Sequence, residues 1–334
     1  MNITHIAGTK GKGSTSLFLN GLFMKSSEET GKPHKVGLLT SPHVRSVRER
    51  LRINSVDISE EDFAACFFYV SDRLSCRLRY SRFLTLMAFH YFMSKGVDVA
   101  ILEVGVGGEF DSTNVIANPV AVGITHLHLD HQTQLGDTIE DIAWHKAGIL
   151  KPSAYAVTVC QTEEAHKQIL KRASEKDMQI HEVQYPAWLP RGEIEPEHQR
   201  TNAALAVQLF SAVTAKLQLP TPSDSSMKKG LMRALLPARG NIVEFRGITW
   251  FLDSAHTFES VSMAVQNFKR MLLSGGKRNF VLLFNQQSRA IEPLLQAIHY
   301  QMMQTPRLLL HLALFSTDHV RSDAEDVHGT SYNV

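Results

Sequence analysis

A short apolar run at residues 3–7 stops at Gly8-Thr9-Lys10-Gly11-Lys12-Gly13-Ser14-Thr15, and a helical pattern over residues 14–25 follows at once. Strand, glycine turn and helix in this order constrain the fold more than any other feature of the chain. In that setting the backbone N–H groups of the turn and the helix N-terminus face an anion. Glycines let the chain wrap closely around a phosphate. Lys12 is the candidate point charge for the β- and γ-phosphates. The pattern is not a strict phosphate loop, because Gly13 separates the lysine from the hydroxyl residues and Ile6 stands where a first glycine belongs. The competing reading is a glycine turn with two solvated lysines; the flanking strand and helix favour phosphate.

The rest of the chain fits this start. Strand-like runs at residues 35–39, 98–104, 120–124 and 154–159 alternate with helical patterns at 62–70, 83–93 and 139–148. The run DVAILEV at 98–104 is nearly all apolar and short, as expected of a buried parallel strand. Such βαβ alternation predicts an α/β fold: a mostly parallel open sheet with helices on both faces. Residues 186–197, with three prolines, read as a loop, and so do 220–226. Between them, 201–215 reads as a helix. A second series begins near Ala238, with a hairpin turned at Arg246-Gly247, a helix at 260–273, a strand at 280–283, a helix at 291–300 and a last strand at 308–315. The expected domains are 1–236, carrying the phosphate loop, and 237–334, a smaller Rossmann-like α/β domain.

Composition removes several function classes. The 334 residues hold 35 Lys+Arg against 33 Asp+Glu, a formal charge of +2, which gives no concentrated basic face for nucleic acid. The three cysteines, Cys66, Cys76 and Cys160, form no close pair, so neither a disulfide framework nor a paired zinc spacing is expected. No apolar run reaches the roughly 18–20 residues needed to span a membrane. A reducing, cytoplasmic setting follows as the expectation, with a mitochondrial form if an N-terminal extension is missing.

The glycine turn resembles the phosphate loop of the Mur ligase superfamily, and further segments resemble its folylpolyglutamate synthase branch. These are Thr40-Ser41-Pro42-His43 with Glu49-Arg50; Glu103-Val104-Gly105-Val106-Gly107-Gly108 through Asp111-Ser112-Thr113-Asn114; Asp130-His131; and Ile142-Ala143-Trp144-His145-Lys146-Ala147-Gly148-Ile149. Pro237-Ala238-Arg239-Gly240, Asp253-Ser254-Ala255-His256 and Leu283-Phe284-Asn285 match the family's second domain in order.

The resemblance implies a Mur ligase-like ATPase domain followed by a glutamate-ligase domain. It implies ATP-dependent joining of L-glutamate to the γ-carboxyl of a tetrahydrofolate (poly)glutamate through an acyl phosphate. Gly8, Thr9, Gly11, Lys12, Gly13, Ser14 and Thr15 would hold the ATP phosphates. Ser41, Glu103 and His131 would hold Mg²⁺. Lys146 would be carbamylated and serve a second Mg²⁺, and a monovalent cation is a further expectation. His198 and Asn202 would lie near the base, and Arg239 and Asp253 would come from the second domain to close over ATP. Lys12, Lys146 and His256 would be the catalytic contacts. A monomer is expected, with dihydrofolate synthase as the nearest alternative.

One motif competes. Thr125-His126-Leu127-His128-Leu129-Asp130-His131 reads as HxHxDH, the zinc signature of metallo-β-lactamase-like hydrolases. That class has no use for a phosphate loop, and the synthase resemblance requires only Asp130 and His131. The extra histidines read as coincidence. Relative to the family, the chain starts close to the phosphate loop, and its resemblance fades after about residue 300. It therefore reads as truncated at both ends, and a nucleotide-binding but inactive paralogue is a third possibility.

Overall fold

The computed structural model describes residues 1–192, 194, 197–234, 239–255, 257–274, 279–285, 291–304 and 309–316. The chain divides into two compact units, Met1–Leu236 and Pro237–Val334.

In the first unit the elements follow in the order β1 (Asn2–Ala7), α1 (Lys12–Thr30), β2 (Val36–Leu39), β3 (Leu51–Ile53), β4 (Val56–Asp57), α2 (Glu60–Ser71), α3 (Tyr80–Ser94), β5 (Val99–Glu103) and β6 (Ala121–Ile124). There follow α4 (Gln132–Leu135), α5 (Ile139–Lys146), β7 (Tyr155–Thr158), α6 (Glu163–Ser174), β8 (Ile180–Glu182), α7 (Glu197–Leu217) and α8 (Asp224–Met232). The strands form one sheet in the order β4-β3-β2-β5-β1-β6-β7-β8. Pairing is parallel from β2 through β8; β3 and β4 close one edge in antiparallel pairings.

The expected open, mostly parallel sheet is present, and so are helices on both faces. On one face Ile6, Leu22 and Phe23 pack with Leu205, Leu209 and Phe210 of α7. The rings of Phe23 and Phe210 lie 5.0 Å apart, tilted by 59°. On the other face Met87, Ala88 and Phe92 of α3 meet Ala100 and Leu102, while Ala143, Ala165 and Ile169 of α5 and α6 meet Val122 and Ile124. The pattern for α1 suggested an apolar stripe, but Leu17, Phe18, Leu19, Leu22 and Phe23 are all buried. This helix packs against the sheet, α7 and α8 together, so it is wrapped rather than laid on a surface.

One sequence expectation needs correction, and one helix lies outside the patterns given above. The stretch 220–226 is not all loop: α8 starts at Asp224, capped by Ser223, whose hydroxyl accepts from the Ser226 N–H. The helix α6 was not read at all. It carries ordinary start and stop signals, with Thr162 as N-cap, Glu163 and Glu164 in the first turn and Lys171 and Arg172 in the last.

The second unit holds the hairpin β9 (Arg239–Phe245) and β10 (Ile248–Asp253), then α9 (Phe258–Ser274), β11 (Asn279–Asn285), α10 (Ile291–Met303) and β12 (Leu309–Ser316). Arg246 and Gly247 both have positive φ, 52° and 75°, as a tight two-residue hairpin turn requires. The strands β11 and β12 pair in parallel. Val261, Leu294 and Ala297 form the small core between α9 and α10.

Candidate functional site

The four central strands β2, β5, β1 and β6 are neighbours and parallel, so the loops at their C-terminal ends meet along one edge. Open α/β sheets bind ligands at that edge. Ser41 follows β2, Glu103 ends β5, the glycine turn follows β1, and the segment from Thr125 to His131 follows β6.

The glycine turn leaves no room for side chains. A Cβ on Gly8, whose φ is +149°, would stand 1.8 Å from the Thr125 hydroxyl. A Cβ on Gly11, at φ +98°, would stand 2.3 Å from Asn202 Oδ1. Gly11 is the N-cap of α1, so the helix begins directly under the turn. The turn is pinned to the β6 loop: the Thr9 and Lys10 N–H groups donate to the His126 carbonyl at 2.9 and 3.1 Å. Lys12 Nζ reaches back to the Gly8 carbonyl at 3.1 Å.

Lys146, the last residue of α5, is 3% exposed, and its Nζ donates to the same Gly8 carbonyl at 2.8 Å. Burial, and next the Lys12 ammonium, push its amine down to about 7. A lysine that the sequence alone would leave in solvent is thus a buried group at the glycine turn.

Glu103 is 6% exposed, and its Oε2 accepts from the Ser41 N–H at 2.9 Å. The Ser41 loop is held from behind by Glu49, whose carboxylate accepts from the Val44, Arg45 and Ser46 N–H groups, each at 2.9 Å. Arg50 Nε donates to His43 Nδ1 at 2.8 Å. His131 caps α4 with a left-handed backbone, φ 53°, and its N–H donates to Asp130 at 2.9 Å. A buried carboxylate is an oxygen donor of the kind that suits a hard divalent cation, and His131 lies on the loop after β6.

Asn202, 1% exposed, stands over Gly11 with Oδ1 lacking a protein partner, and its amide donates to Gln199 at 3.3 Å. Its buried amide therefore packs directly against the glycine turn. His198 enters the same region: burial, and next the proximity of His126, lower its imidazole to about 4. His126 is itself lowered by burial and by His128. The two rings His126 and His128 are 6.4 Å apart. Among the described residues no three His, Cys, Asp or Glu side chains gather to hold one metal ion, the HxHxDH segment included.

In the second unit Arg239 and Asp253 face each other across the hairpin as register partners, next to an irregularity between Leu252 and Asp253. Asp253 Oδ1 accepts from the Ala255 N–H at 2.8 Å. His256 lies outside the described residues.

Two groups escaped the sequence reading. Asp111 was read only as part of a motif, yet its carboxylate organises the loop after β5, accepting from the Gly105 and Val106 N–H groups at 3.1 Å each. Arg172 of α6 pairs with Glu109 on that loop and with Glu175, and its guanidinium lies 4.5 Å from the Trp144 ring centroid. Recognising α6 from its capping signals would have brought Arg172 into view.

No family model matches the chain. It is 40% identical over 313 residues to the folylpolyglutamate synthase of Neurospora crassa, which covers 87% of this chain and 59% of that protein. It is 41% identical over 312 residues to a probable folylpolyglutamate synthase of Schizosaccharomyces pombe, covering 86% of this chain and 60% of that one. Solved structures share the fold. The apo form of L. casei FPGS aligns with a TM-score of 0.74 at 22% identity, over 95% of this chain and 87% of that chain. A ligand-free bifunctional folylpolyglutamate synthase/dihydrofolate synthase from Yersinia pestis aligns with a TM-score of 0.75 at 24% identity, over 95% and 82%. The chain spans about three-fifths of the length of these fungal relatives, and over that span it is similar to folylpolyglutamate synthases.

Proposed function

We propose that the chain performs the ATP-dependent ligation of L-glutamate to the γ-carboxyl of a tetrahydrofolyl (poly)glutamate. The observation that carries this reading is the convergence of Lys12 and Lys146 on the Gly8 carbonyl, beside a buried Glu103–Ser41 pair at the neighbouring strand end. Two further findings support it: the sequence relatives are named folylpolyglutamate synthases, and one solved structure of the same fold is titled as a complex with AMPPCP and folate.

The chemistry needs a carboxylate turned into a leaving-group-bearing acyl centre. The substrate γ-carboxylate attacks the γ-phosphorus of ATP, the bond to ADP breaks, and the amine of glutamate then displaces phosphate. In this reading the α1 N-terminus and the turn amides cradle the phosphates, and Lys12 neutralises charge that builds on the transferring group. Asn202 and His198 line the nucleotide at the head of α7. Ser41, Glu103 and His131 would hold Mg²⁺, which when bound screens the phosphate oxygens from the incoming carboxylate. Another structure of the fold is titled with Mn, AMPPNP and L-glutamate bound. For Arg239 and Asp253 the proposed role is contact with the nucleotide.

Lys146 fits the carbamylation that the family resemblance implies. An amine lowered to about 7 is substantially neutral at neutral pH, and only the neutral amine adds to CO₂. The amine lone pair forms the N–C bond as one C=O π bond opens, the nitrogen releases one proton, and an anionic carbamate replaces the neutral amine.

The test is ADP release by the purified chain with folate and glutamate supplied together and singly. Release that requires both supports the reading. Turnover that ignores both, or ATP binding with no ligation at saturation, refutes it. Dihydropteroate in place of folate separates dihydrofolate synthase activity.

A further inference from the structure

We propose that His5 is a positioning residue, held as one tautomer, that fixes the loop 105–111 to the strand bearing the phosphate turn. His5 lies in the middle of β1, between β5 and β6, and is fully buried. Its Nε2 is 2.7 Å from the Thr113 hydroxyl. That hydroxyl lies 2.5 Å from Asp111 Oδ1, and the Thr113 N–H donates to the same oxygen at 2.9 Å. The other carboxylate oxygen takes the Gly105 and Val106 N–H groups.

The proton count decides the tautomer. A carboxylate only accepts, so the single hydroxyl proton of Thr113 goes to Asp111. The Thr113 oxygen must then accept from His5, which places the ring proton on Nε2. Nδ1 is left as a bare lone pair, and it has no partner in the protein. Protonating it would bury an N–H with no acceptor. This agrees with an imidazole that burial lowers to about 4. The relay therefore runs in one direction, from His5 through Thr113 to Asp111 and the loop amides. That loop leaves directly from Glu103, so its position and that of the Glu103 carboxylate are set together.

The test uses the full chain labelled with ¹⁵N. Long-range proton–nitrogen correlation should show His5 with Nε2 protonated and Nδ1 bare; the opposite tautomer overturns the proposal. Amide exchange at Gly105 and Val106 should run about tenfold faster in His5→Leu, the size of one buried hydrogen bond. His5→Gln, which keeps a donor, should bring it back towards the unmodified rate. Exchange unchanged in a folded His5→Leu chain also overturns it, and the tautomer measurement stands if that variant does not fold. Turnover in the proposed ligation should follow the same order of variants. A chain that ligates nothing yet keeps the tautomer and exchange pattern refutes the ligase reading and upholds this one.

Discussion

Lys146 and Lys12 donate to one and the same oxygen, the Gly8 carbonyl, at 2.8 and 3.1 Å. Burial, and next the Lys12 ammonium, disfavour the charged form of Lys146. Lys146 is lowered from 10.5 to about 7. In the unfolded chain it keeps its proton up to about 10.5, so between these values the unfolded state binds one proton more. Stability should therefore rise with pH from about 7 upward, by ~1.4 kcal/mol per pH unit for this group. Denaturant unfolding in CO₂-free buffer at pH 7 and pH 9 checks this. Lys146→Met should flatten the rise; an unchanged slope would show that Lys146 is not the group responsible.

Glu103→Gln should separate folding from chemistry. The amide oxygen can still accept from the Ser41 N–H, so the melting temperature should barely move. The negative charge proposed to hold a divalent cation is gone, and ligation should fall by about a hundredfold or more. Calorimetric Mn²⁺ titration beside the turnover assay distinguishes lost metal binding from a general defect.

Gly11→Ala places a methyl group 2.3 Å from Asn202 Oδ1 at a φ of +98°. Two penalties act, the side-chain overlap and the backbone strain, and together they should cost about 3 kcal/mol. Adding Asn202→Ala removes the overlap but not the strain, so the double variant should recover part of the loss. A double variant as unstable as the sum of the two singles would mean that the contact with Asn202 does not limit the turn.

Arg172→Met should destabilise the first unit by about 3 kcal/mol, since Glu109 loses its buried partner. Arg172→Lys should restore little of this. A lysine has no planar fork to serve both Glu109 and Glu175 while lying over Trp144. Urea unfolding of the two variants is the check.

The parts of this molecule that were readable in advance are those built from near neighbours. The run from Ile3 to Thr15 declares strand, turn and helix within a few residues, and the Arg246-Gly247 turn declares its hairpin. What could not be read is pairing across the sheet. His5 and Thr113 are 108 residues apart, and Arg172 and Glu109 are 63 apart. Their meeting depends on strand order, which local pattern does not encode. Lys146 belongs to the same group: its segment was recognisable by resemblance, but its burial against Gly8 depends on where α5 docks.

The candidate site residues of the first unit hang from the four central strands β2, β5, β1 and β6 and from the helices that follow them. The margins are different. The strand β4 is two residues long and β8 is three, and the β3–β4 hairpin carries none of the groups discussed above. Both β4 and β8 lie at the edges of the strand order, away from β2, β5, β1 and β6. The sheet thus has a long-paired centre that carries the candidate site and a short-stranded rim, so a residue inserted in β4 or β8 should leave the centre in register.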